Sequence, residues 1–228
     1  MNIENNTLVI IPLYNEGDKI IDVIDSTSKV FKNILCINDG STDKTLPIIN
    51  SLQSVSVISH CMNCGQGTSL LTGIKYFLYQ TNFEYCITID GDGQHSLEDA
   101  KNMLFYIKKN NFDAVLGSRF IEKKYIKEIP FKRVFLLKVA TLFEKLFYKI
   151  NLTDAHNGLR VLRRSACYIL EDLECAEMAH ATEIAYKLQY SNLKIAEYPT
   201  IVNYSKSLKG SQSSLNSLNI ISELLQRK

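Results

Sequence analysis

The chain has 228 residues, a length that usually forms one domain, since domains commonly hold about 100 to 200 residues. Hydrophobic residues make up 46% and charged residues 22%, which are values of an ordinary globular protein and exclude collagen-like and disordered chains. The apolar run at 8–13 is far shorter than the roughly 18 residues that a membrane-spanning helix needs, and the N-terminus does not resemble a secretory signal. We therefore expect a single domain that stays in the cytosol.

Short strand-like runs alternate with helical patterns over the first 120 residues. The predicted strands are 7–11, 34–37, 55–59, 85–89 and 114–116, and the predicted helices between them are 17–31, 42–52, 67–79 and 96–109. This repeated order predicts an α/β fold with a mostly parallel sheet and helices on both faces. After residue 120 the pattern predicts helices at 130–150, 164–172, 177–190 and 213–226 and short strands at 159–162 and 194–203.

Positive charge is concentrated in one segment of the chain. The net charge is +2, but residues 119–149 hold nine Lys or Arg and three Glu, a local +6, so the rest carries −4. The same segment holds seven of the 22 aromatic residues. Basic and apolar residues interleaved on a helix predict a membrane-surface element at 123–149 rather than a nucleic-acid interface. The alternative is a core helix with a solvated basic face.

Polar side chains follow the predicted strands, at the edge where open parallel sheets bind ligands. Asp90 and Asp92 form the sharpest motif, because two carboxylates two residues apart in extended backbone point to the same side. With Gln94 as a further oxygen ligand, Asp92 would suit Mg²⁺ or Mn²⁺ completed by phosphate oxygens of a substrate. An ordinary Asp-Gly turn without metal is the alternative. The sequence has no EF-hand, P-loop or dinucleotide-binding glycine pattern.

The six cysteines are expected to be thiols, because the chain shows no export signal. Cys61 and Cys64 follow His60 and so invite a zinc interpretation. A structural zinc site needs a second pair of ligands, and no pair with suitable spacing occurs in the sequence. We therefore interpret the two cysteines as ordinary thiols.

Several of these motifs, in this order, resemble the family 2 glycosyltransferases with the GT-A fold, and within them the branch of dolichyl- and polyprenyl-phosphate sugar synthases. The resemblance covers nearly the whole chain and rests on segments 9–16, 38–43, 63–67, 90–95, 117–120, 153–160 and 204–212, with Glu183. It implies a nucleotide-sugar donor, a divalent metal cofactor and a polyprenyl-phosphate acceptor. Residues 1–120 would form the nucleotide-sugar-binding half of a single domain over 1–228, and residues 121–228 the acceptor-facing half.

The resemblance also implies roles for individual residues at the donor. Asp92 and Gln94 would hold the metal on the diphosphate, and Arg119 would meet phosphate. Lys209, in a glycine-containing loop, would assist the leaving group. The nucleobase and ribose would lie against Pro12, Tyr14, Glu16, Asp39 and Asp90.

Two positions depart from the family pattern. Relatives often carry Lys or Leu where this chain has Gln66, and many lipid-phosphate sugar synthases carry Ser-Gly-Phe-Arg where this chain has residues 156–160. The sugar and the acceptor therefore stay open at this point. The candidate acceptor contacts are Arg133, Asp154, His156, Arg160 and Gln212.

The chemistry of the acceptor decides whether a general base is needed. A lipid phosphate is largely ionised at neutral pH, whereas a hydroxyl must lose a proton, for which Glu183 or Asp154 is the candidate. Glu183 could instead be a buried partner of Arg160 or Lys187. His156 and His180 are interpreted as structural or acceptor-lining residues.

The predicted function is a metal-dependent inverting glycosyltransferase that moves a sugar from a UDP- or GDP-sugar to polyprenyl phosphate. The enzyme is expected to be peripheral on the inner face of the membrane, where a small separate membrane protein could help to hold it. One alternative is the same fold glycosylating a hydroxyl of a lipid-linked saccharide. A catalytically silent nucleotide-sugar-binding subunit and a nucleotidyltransferase are further alternatives, the last weakened by the missing glycine-rich loop.

Overall fold

The computed structural model of the chain describes residues 3–126, 129–177 and 179–204. A short 3₁₀ turn, Ile3–Asn6, precedes the first strand. The seven strands are β1 (Thr7–Leu13), β2 (Ile34–Asn38), β3 (Ser56–Ser59), β4 (Tyr85–Thr88), β5 (Ala114–Ser118), β6 (Arg160–Arg163) and β7 (Ile195–Pro199). The helices are α1 (Lys19–Val30), α2 (Thr45–Ser51), α3 (Gln66–Gln80), α4 (Leu97–Asn110), α5 (Lys123–Ile126), α6 (Phe131–Phe147), α7 (Arg164–Ile169) and α8 (His180–Gln189).

The strands form one seven-stranded sheet in the order β3-β2-β1-β4-β6-β5-β7. Strands β1 to β4 pair in parallel, as do β5 and β7. Strand β6 is antiparallel to both of its neighbours, β4 and β5. The predicted α/β fold with a mostly parallel sheet is therefore confirmed, and β6 is the exception to the parallel pairing.

Helices cover both faces of the sheet, as the βα alternation predicts. All seven residues of β1 are buried, because successive side chains point to opposite faces and each face carries a core. Val9 and Ile11 pack in a core with α1, α2 and α4. Leu8 and Ile10 pack in the opposite core with α3, α7 and α8.

Most element boundaries agree with the sequence prediction within three residues. The helix predicted at 42–52 begins only at Thr45, whose backbone N–H donates to the Asp43 side chain. The strand predicted at 194–203 ends at Pro199. The predicted helix at 213–226 lies outside the described residues. Among those that are described, none of the helices combines the length and the apolar character that crossing a bilayer requires.

Candidate active site

The ends of β1, β2 and β4 meet at one edge of the sheet because the three strands are parallel and in register. Leu13 at the end of β1 pairs with Asn38 at the end of β2, and Ile10 pairs with Thr88 at the end of β4. The polar loops that follow these strands therefore lie side by side. They carry Tyr14 and Glu16, then Asp39, then Asp90 and Asp92.

The loop 60–65 folds over the end of β2 and holds Asp39. The Asp39 carboxylate accepts hydrogen bonds from the backbone N–H groups of Cys64 (2.9 Å) and Gly65 (2.8 Å) and lies 2.7 Å from Nδ1 of His60. Gly40 permits this packing, because its φ is +64° and a Cβ there would lie 2.3 Å from the Met62 carbonyl carbon. Asp39 is 3% exposed. Its predicted contact with the nucleobase stays a prediction.

Asp90 is held on both carboxylate oxygens. Gln66 Nε2 donates to one oxygen and His95 Nε2 lies at the same distance, 2.9 Å, from the other. Burial raises the pKa of Asp90, but the hydrogen bond and charge of His95, with Arg160 and His180, outweigh it and bring the pKa to about 2. The carboxylate is therefore ionised at neutral pH. Gln66, which departs from the family pattern, is the donor that fixes its orientation.

Asp92 and Glu16 lie close enough for their charges to act on each other. Burial raises the pKa of Asp92, and the neighbouring Asp90 raises it further. Burial followed by the charge of Asp92 raises the pKa of Glu16 to about 6. Carboxylates whose ionisation is disfavoured by one another gain when a cation is added between them. The residues present therefore fit a divalent cation, with Asp92 as the oxygen ligand and the buried Gln94 two residues further on.

Arg119 and Asp154 form a buried bidentate ion pair. Nε and one terminal nitrogen of Arg119 each donate a hydrogen bond of 2.6 Å to Asp154, and the backbone N–H of Arg119 donates to the same carboxylate. A second terminal nitrogen donates to the Tyr204 hydroxyl. Both oxygens of Asp154 are thus occupied by Arg119. The predicted phosphate contact of Arg119 and the acceptor or base role of Asp154 stay predictions, and each would require this pair to be shared or opened.

The segment 153–158 connects the site to several elements. Asp154 binds Arg119, and His156 lies 3.1 Å from Glu144 of α6. Asn157 donates to Thr200, which follows β7. Gly158 lies against Asp90 so closely that a Cβ would be 2.2 Å from a carboxylate oxygen. A side chain at 158 would therefore displace the Asp90 carboxylate. The side chain of the predicted acceptor residue His156 is 5% exposed and lies against α6.

Arg160 and Arg133 place positive charge beside the carboxylates. Arg160 opens β6 opposite Thr88 and is buried, and among the described residues no carboxylate lies within ion-pair distance of it. Arg133 on α6 stacks on the Tyr204 ring with 4.7 Å to the ring centroid, and its charge lowers the pKa of Asp92. Two predicted acceptor residues therefore lie near the carboxylates of Asp90 and Asp92. Gln212, predicted at the acceptor, and Lys209, predicted at the donor, lie outside the described residues.

Glu183 lies apart from this cluster. Its carboxylate accepts the backbone N–H groups of Glu174 and Cys175 and lies 3.7 Å from Lys187. It borders a cavity of about 650 Å³ between the C-terminal end of α6 and α8, a cavity that Asp92 does not line. The base role of Glu183 stays a prediction, and its contacts support the loop 174–176, where Ala176 accepts the N–H of Gly67.

His180, interpreted from the sequence as a structural or acceptor-lining residue, lies near Asp90 and Arg160. Burial, followed by the charge of Arg160, lowers the pKa of His180 to about 4, so the imidazole is neutral. Its Nδ1 lies 2.6 Å from the Glu177 carbonyl oxygen. In the sequence His180 stands 90 residues after Asp90, and the packing of α8 against α3 brings the two together.

Helix α6 turns an apolar face outward. Its buried residues are Ala140 and Glu144, and the most exposed is Phe131 at 85%. Five of its exposed apolar residues recur at intervals of four or three and so form one stripe: Phe131, Phe135, Val139, Leu142 and Leu146. Phe147, the last residue of the helix, is also exposed. Exposed lysines flank the stripe, namely Lys132, Lys138 and Lys145. We call the five apolar residues and the three lysines the α6 stripe.

Comparison with known proteins agrees with this geometry. The chain is 27% identical to a UDP-N-acetylglucosamine–dolichyl-phosphate N-acetylglucosaminyltransferase of Methanococcus voltae, over 87% of the chain and 86% of that protein. It is 26% identical to a polyprenol monophosphomannose synthase of Mycolicibacterium smegmatis, over 74% of the chain and 64% of that protein.

The fold is shared with glucosyl-3-phosphoglycerate synthase of Mycobacterium tuberculosis, crystallised with Mn²⁺, uridine diphosphate and phosphoglyceric acid. The TM-score is 0.62 at 18% identity, over 97% of this chain and 78% of that one. The profile described as glycosyl transferase family 2 matches residues 8–169, well over half of the chain. With strand-end carboxylates, sheet order and sequence in agreement, this chain belongs to glycosyl transferase family 2.

Proposed function

We propose that this glycosyltransferase is a metal-dependent inverting enzyme that moves a sugar from a UDP- or GDP-sugar to a polyprenyl phosphate. It would work as a peripheral protein on the cytoplasmic face of the membrane. One observation carries the proposal: Arg133, whose charge acts on Asp92, sits on the same helix as the outward apolar face. A lipid whose chain lies along the apolar face could present its phosphate to Arg133, near Asp90 and Asp92.

The donor would lie across the ends of β1, β2 and β4. Pro12, Tyr14 and Glu16 follow or end β1, and Tyr14 is exposed at this edge. Asp39 has accepted three hydrogen bonds on two oxygens, so one acceptor position is left for a ribose hydroxyl or a base N–H. Asp90, ionised and held by Gln66 and His95, would supply a second fixed acceptor.

Asp92 and Gln94 would hold Mg²⁺ or Mn²⁺, whose charge stabilises the diphosphate as it leaves. The raised pKa values of Asp92 and Glu16 support this assignment, because an added cation would relieve their mutual repulsion. Arg119 would contribute positive charge from the end of β5, positioned by Asp154. Lys209, in the segment beyond residue 204, would add a further cation at the diphosphate.

The acceptor phosphate would bind between Arg133 and Arg160. Among the described residues Arg160 makes no ion pair with a carboxylate, and the charges of Asp90 and Asp154 act on it from a longer distance. Burial still lowers the pKa of Arg160, so an anion bound directly beside it would favour its charged form. A phosphate monoester has a second pKa of about 6 and is already nucleophilic at neutral pH, so no side chain must remove a proton. Direct attack opposite the leaving diphosphate inverts the anomeric carbon. His156, beside Glu144, would line the acceptor side, and Gln212 would complete it.

The α6 stripe supports the membrane position. Its apolar face would enter the boundary between headgroups and acyl chains, and the flanking lysines would meet anionic headgroups. A small membrane protein could share this surface as an additional anchor. The names of the relatives in Methanococcus voltae and Mycolicibacterium smegmatis, which mention dolichyl phosphate and polyprenol, support the same acceptor class.

The test is release of nucleotide by the purified chain from a panel of UDP- and GDP-sugars. Each donor is supplied with and without undecaprenyl phosphate, and with Mg²⁺, Mn²⁺ or a chelator. We expect release that requires one donor, the lipid phosphate and a divalent ion, and NMR of the product should show an inverted anomeric centre. Release that is equally fast with a saccharide hydroxyl acceptor and without lipid phosphate would overturn the proposal in favour of the hydroxyl-acceptor alternative.

A further inference from the structure

A second group of potential metal ligands lies at the end of β2, in the loop 60–65. A carboxylate oxygen of Asp39, a ring nitrogen of His60 and Sγ of Cys64 all lie within 4.8 Å of one another. Asp39 is buried, and the side chain of His60 is 14% exposed. Asp92 is not part of this group. The spacing of the cysteines did not indicate the group, because Asp39 stands 21 residues before His60 in the sequence.

The hydrogen bonds around His60 limit where its protons can lie. The Thr72 hydroxyl can donate its one hydrogen to the Thr68 carbonyl oxygen and can then accept from Nε2 of His60, 2.9 Å away. A proton on Nε2 therefore has a partner when Nδ1 binds a metal. Nδ1 lies 2.7 Å from a carboxylate oxygen of Asp39, and two lone pairs cannot face each other at that distance. In the absence of a metal, Nδ1 therefore carries a hydrogen that points at the Asp39 carboxylate.

A metal ion can replace the proton on Nδ1. A histidine that ligates a metal usually donates its other N–H to a fixed acceptor, which Nε2 can do with Thr72. Ligand atoms around tetrahedral zinc lie about 3 to 4 Å apart. The Asp39–His60 contact would widen by about half an ångström, and Cys64, whose thiol makes one long contact with the Met62 carbonyl oxygen, would turn inward.

We propose that Asp39, His60 and Cys64 form a binding site for a borderline-soft divalent cation, Zn²⁺ being the natural occupant. One carboxylate, one imidazole and one thiolate give a ligand set that Mg²⁺ and Mn²⁺ disfavour and Zn²⁺ accepts, with a fourth position open to water or ligand. The ion displaces the proton between His60 and Asp39 and the thiol proton of Cys64. The site is distinct from the oxygen-ligand site proposed at Asp92 and does not depend on it.

Occupation of this site would affect donor binding. Asp39 is the residue expected to meet the nucleobase, and zinc would take a carboxylate oxygen while leaving the Gly65 contact on the other. This consequence rests on the proposed function, whereas zinc binding itself does not. Micromolar zinc should therefore weaken nucleotide affinity in a manner that excess Mg²⁺ does not relieve.

The experiment measures Zn²⁺ binding by the full chain in the presence of excess Mg²⁺, which occupies oxygen-ligand sites. We expect one equivalent of Zn²⁺ for the unaltered chain, and at least tenfold weaker binding for Cys64→Ser and for His60→Asn. Cys61→Ser is the matched control, because Cys61 is an exposed thiol in the same loop outside the ligand group, and it should bind as the unaltered chain does. Co²⁺ in place of Zn²⁺ should give a thiolate charge-transfer absorption that only Cys64→Ser removes.

A second measurement does not depend on the folding of variants. In the unaltered chain, Zn²⁺ should slow alkylation of Cys64 at least tenfold while leaving alkylation of Cys61 unchanged, as mapped by mass spectrometry. Equal protection of both thiols, or zinc binding that His60→Asn and Cys64→Ser leave unchanged, would overturn the proposal. So would the absence of binding at micromolar Zn²⁺. Failure of the proposed sugar transfer would change neither result, since both readouts report only the ion.

Discussion

Neutralising the lysines of the α6 stripe should release the protein from anionic membranes. The variant is Lys132→Gln with Lys138→Gln and Lys145→Gln, three exposed positions beside the apolar stripe. Arg133 is left intact, because its charge reaches Asp92 and its loss would confuse membrane binding with acceptor binding. The triple variant therefore tests the surface alone.

The magnitude follows from the number of charges at the membrane. A basic residue near an anionic surface contributes about 1 kcal/mol, so three neutralised lysines should cost about 3 kcal/mol, or about a hundredfold in the partition coefficient. The exposed Phe131 and Phe135 still provide apolar contact, so binding to vesicles should weaken rather than vanish. Salt should reduce binding of the unaltered chain far more than that of the variant.

Co-sedimentation with vesicles that contain or lack anionic lipid is the assay. The matched control removes the same charge elsewhere: Lys29, Lys108 and Lys109 are exposed on α1 and α4 and become Gln together. We expect the control to bind as the unaltered chain does, and both variants to keep their thermal midpoints. If the α6 variant co-sediments normally, or if the control loses as much binding, the assignment of α6 to the membrane is wrong.

Three further predictions concern the carboxylates. Asp92→Asn should abolish metal-dependent turnover without lowering the thermal midpoint. The control is Asp25→Asn, which removes an exposed carboxylate on α1 and should leave turnover intact. Near-normal turnover of Asp92→Asn in saturating metal would refute the metal assignment. Glu183→Gln should lower the free energy of unfolding by about 1 to 2 kcal/mol, because its charge-assisted hydrogen bonds to two backbone N–H groups weaken. The same variant should slow a phosphate-acceptor reaction less than tenfold. A stable variant slowed more than a hundredfold would point to a hydroxyl acceptor. Without metal, the stability that Glu16 contributes should grow as pH falls from 6 to 4.5, because its folded pKa is raised from 4.5 to about 6. His180, whose folded pKa is lowered from 6.5 to about 4, loses stability in the same range, so the quantity to measure is the difference in unfolding free energy between the unaltered chain and Glu16→Gln, which should increase in favour of the unaltered chain as pH falls; a difference that does not change with pH would refute the assignment. The contribution of Asp90 is lost only below its unfolded value of 3.8, toward about 2.

The first half of the fold was predictable because its information is local. Each buried strand such as β1 is an unbroken apolar run, and each is followed by turn residues at the sheet edge. Parallel order then follows from the helices between strands. The antiparallel insertion of β6 between β4 and β5 was not predictable, because it depends on which distant strand pairs with Arg160–Arg163, and a four-residue run contains no such information.

The candidate residues were predictable one at a time, but their pairings were not. Sequence motifs identified Asp39, Asp90 and Arg119, yet nothing local indicates that His60 meets the first or that Asp154 meets the last. The signal that could have identified Gln66 was its departure from the family pattern, which the structure explains by its hydrogen bond to Asp90. Side chains brought together over 20 to 40 residues require the packed fold.

The segment 153–158 gives these separate pairings a common physical basis. Asp154 fixes Arg119, Gly158 bounds Asp90, and His156 lies 3.1 Å from Glu144, a carboxylate that is 2% exposed and is one of the two buried residues of α6. Glu144 accepts a hydrogen bond from Thr182 of α8, which fixes α6 on its inner side. Contacts of this kind fix a rotation about the helix axis more sharply than apolar packing does, because they fail when atoms move by an ångström. The same rotation that turns the α6 stripe outward therefore keeps the charge of Arg133 near Asp92. On the proposed function, it would also hold the lipid surface in a fixed relation to Asp90 and Asp92.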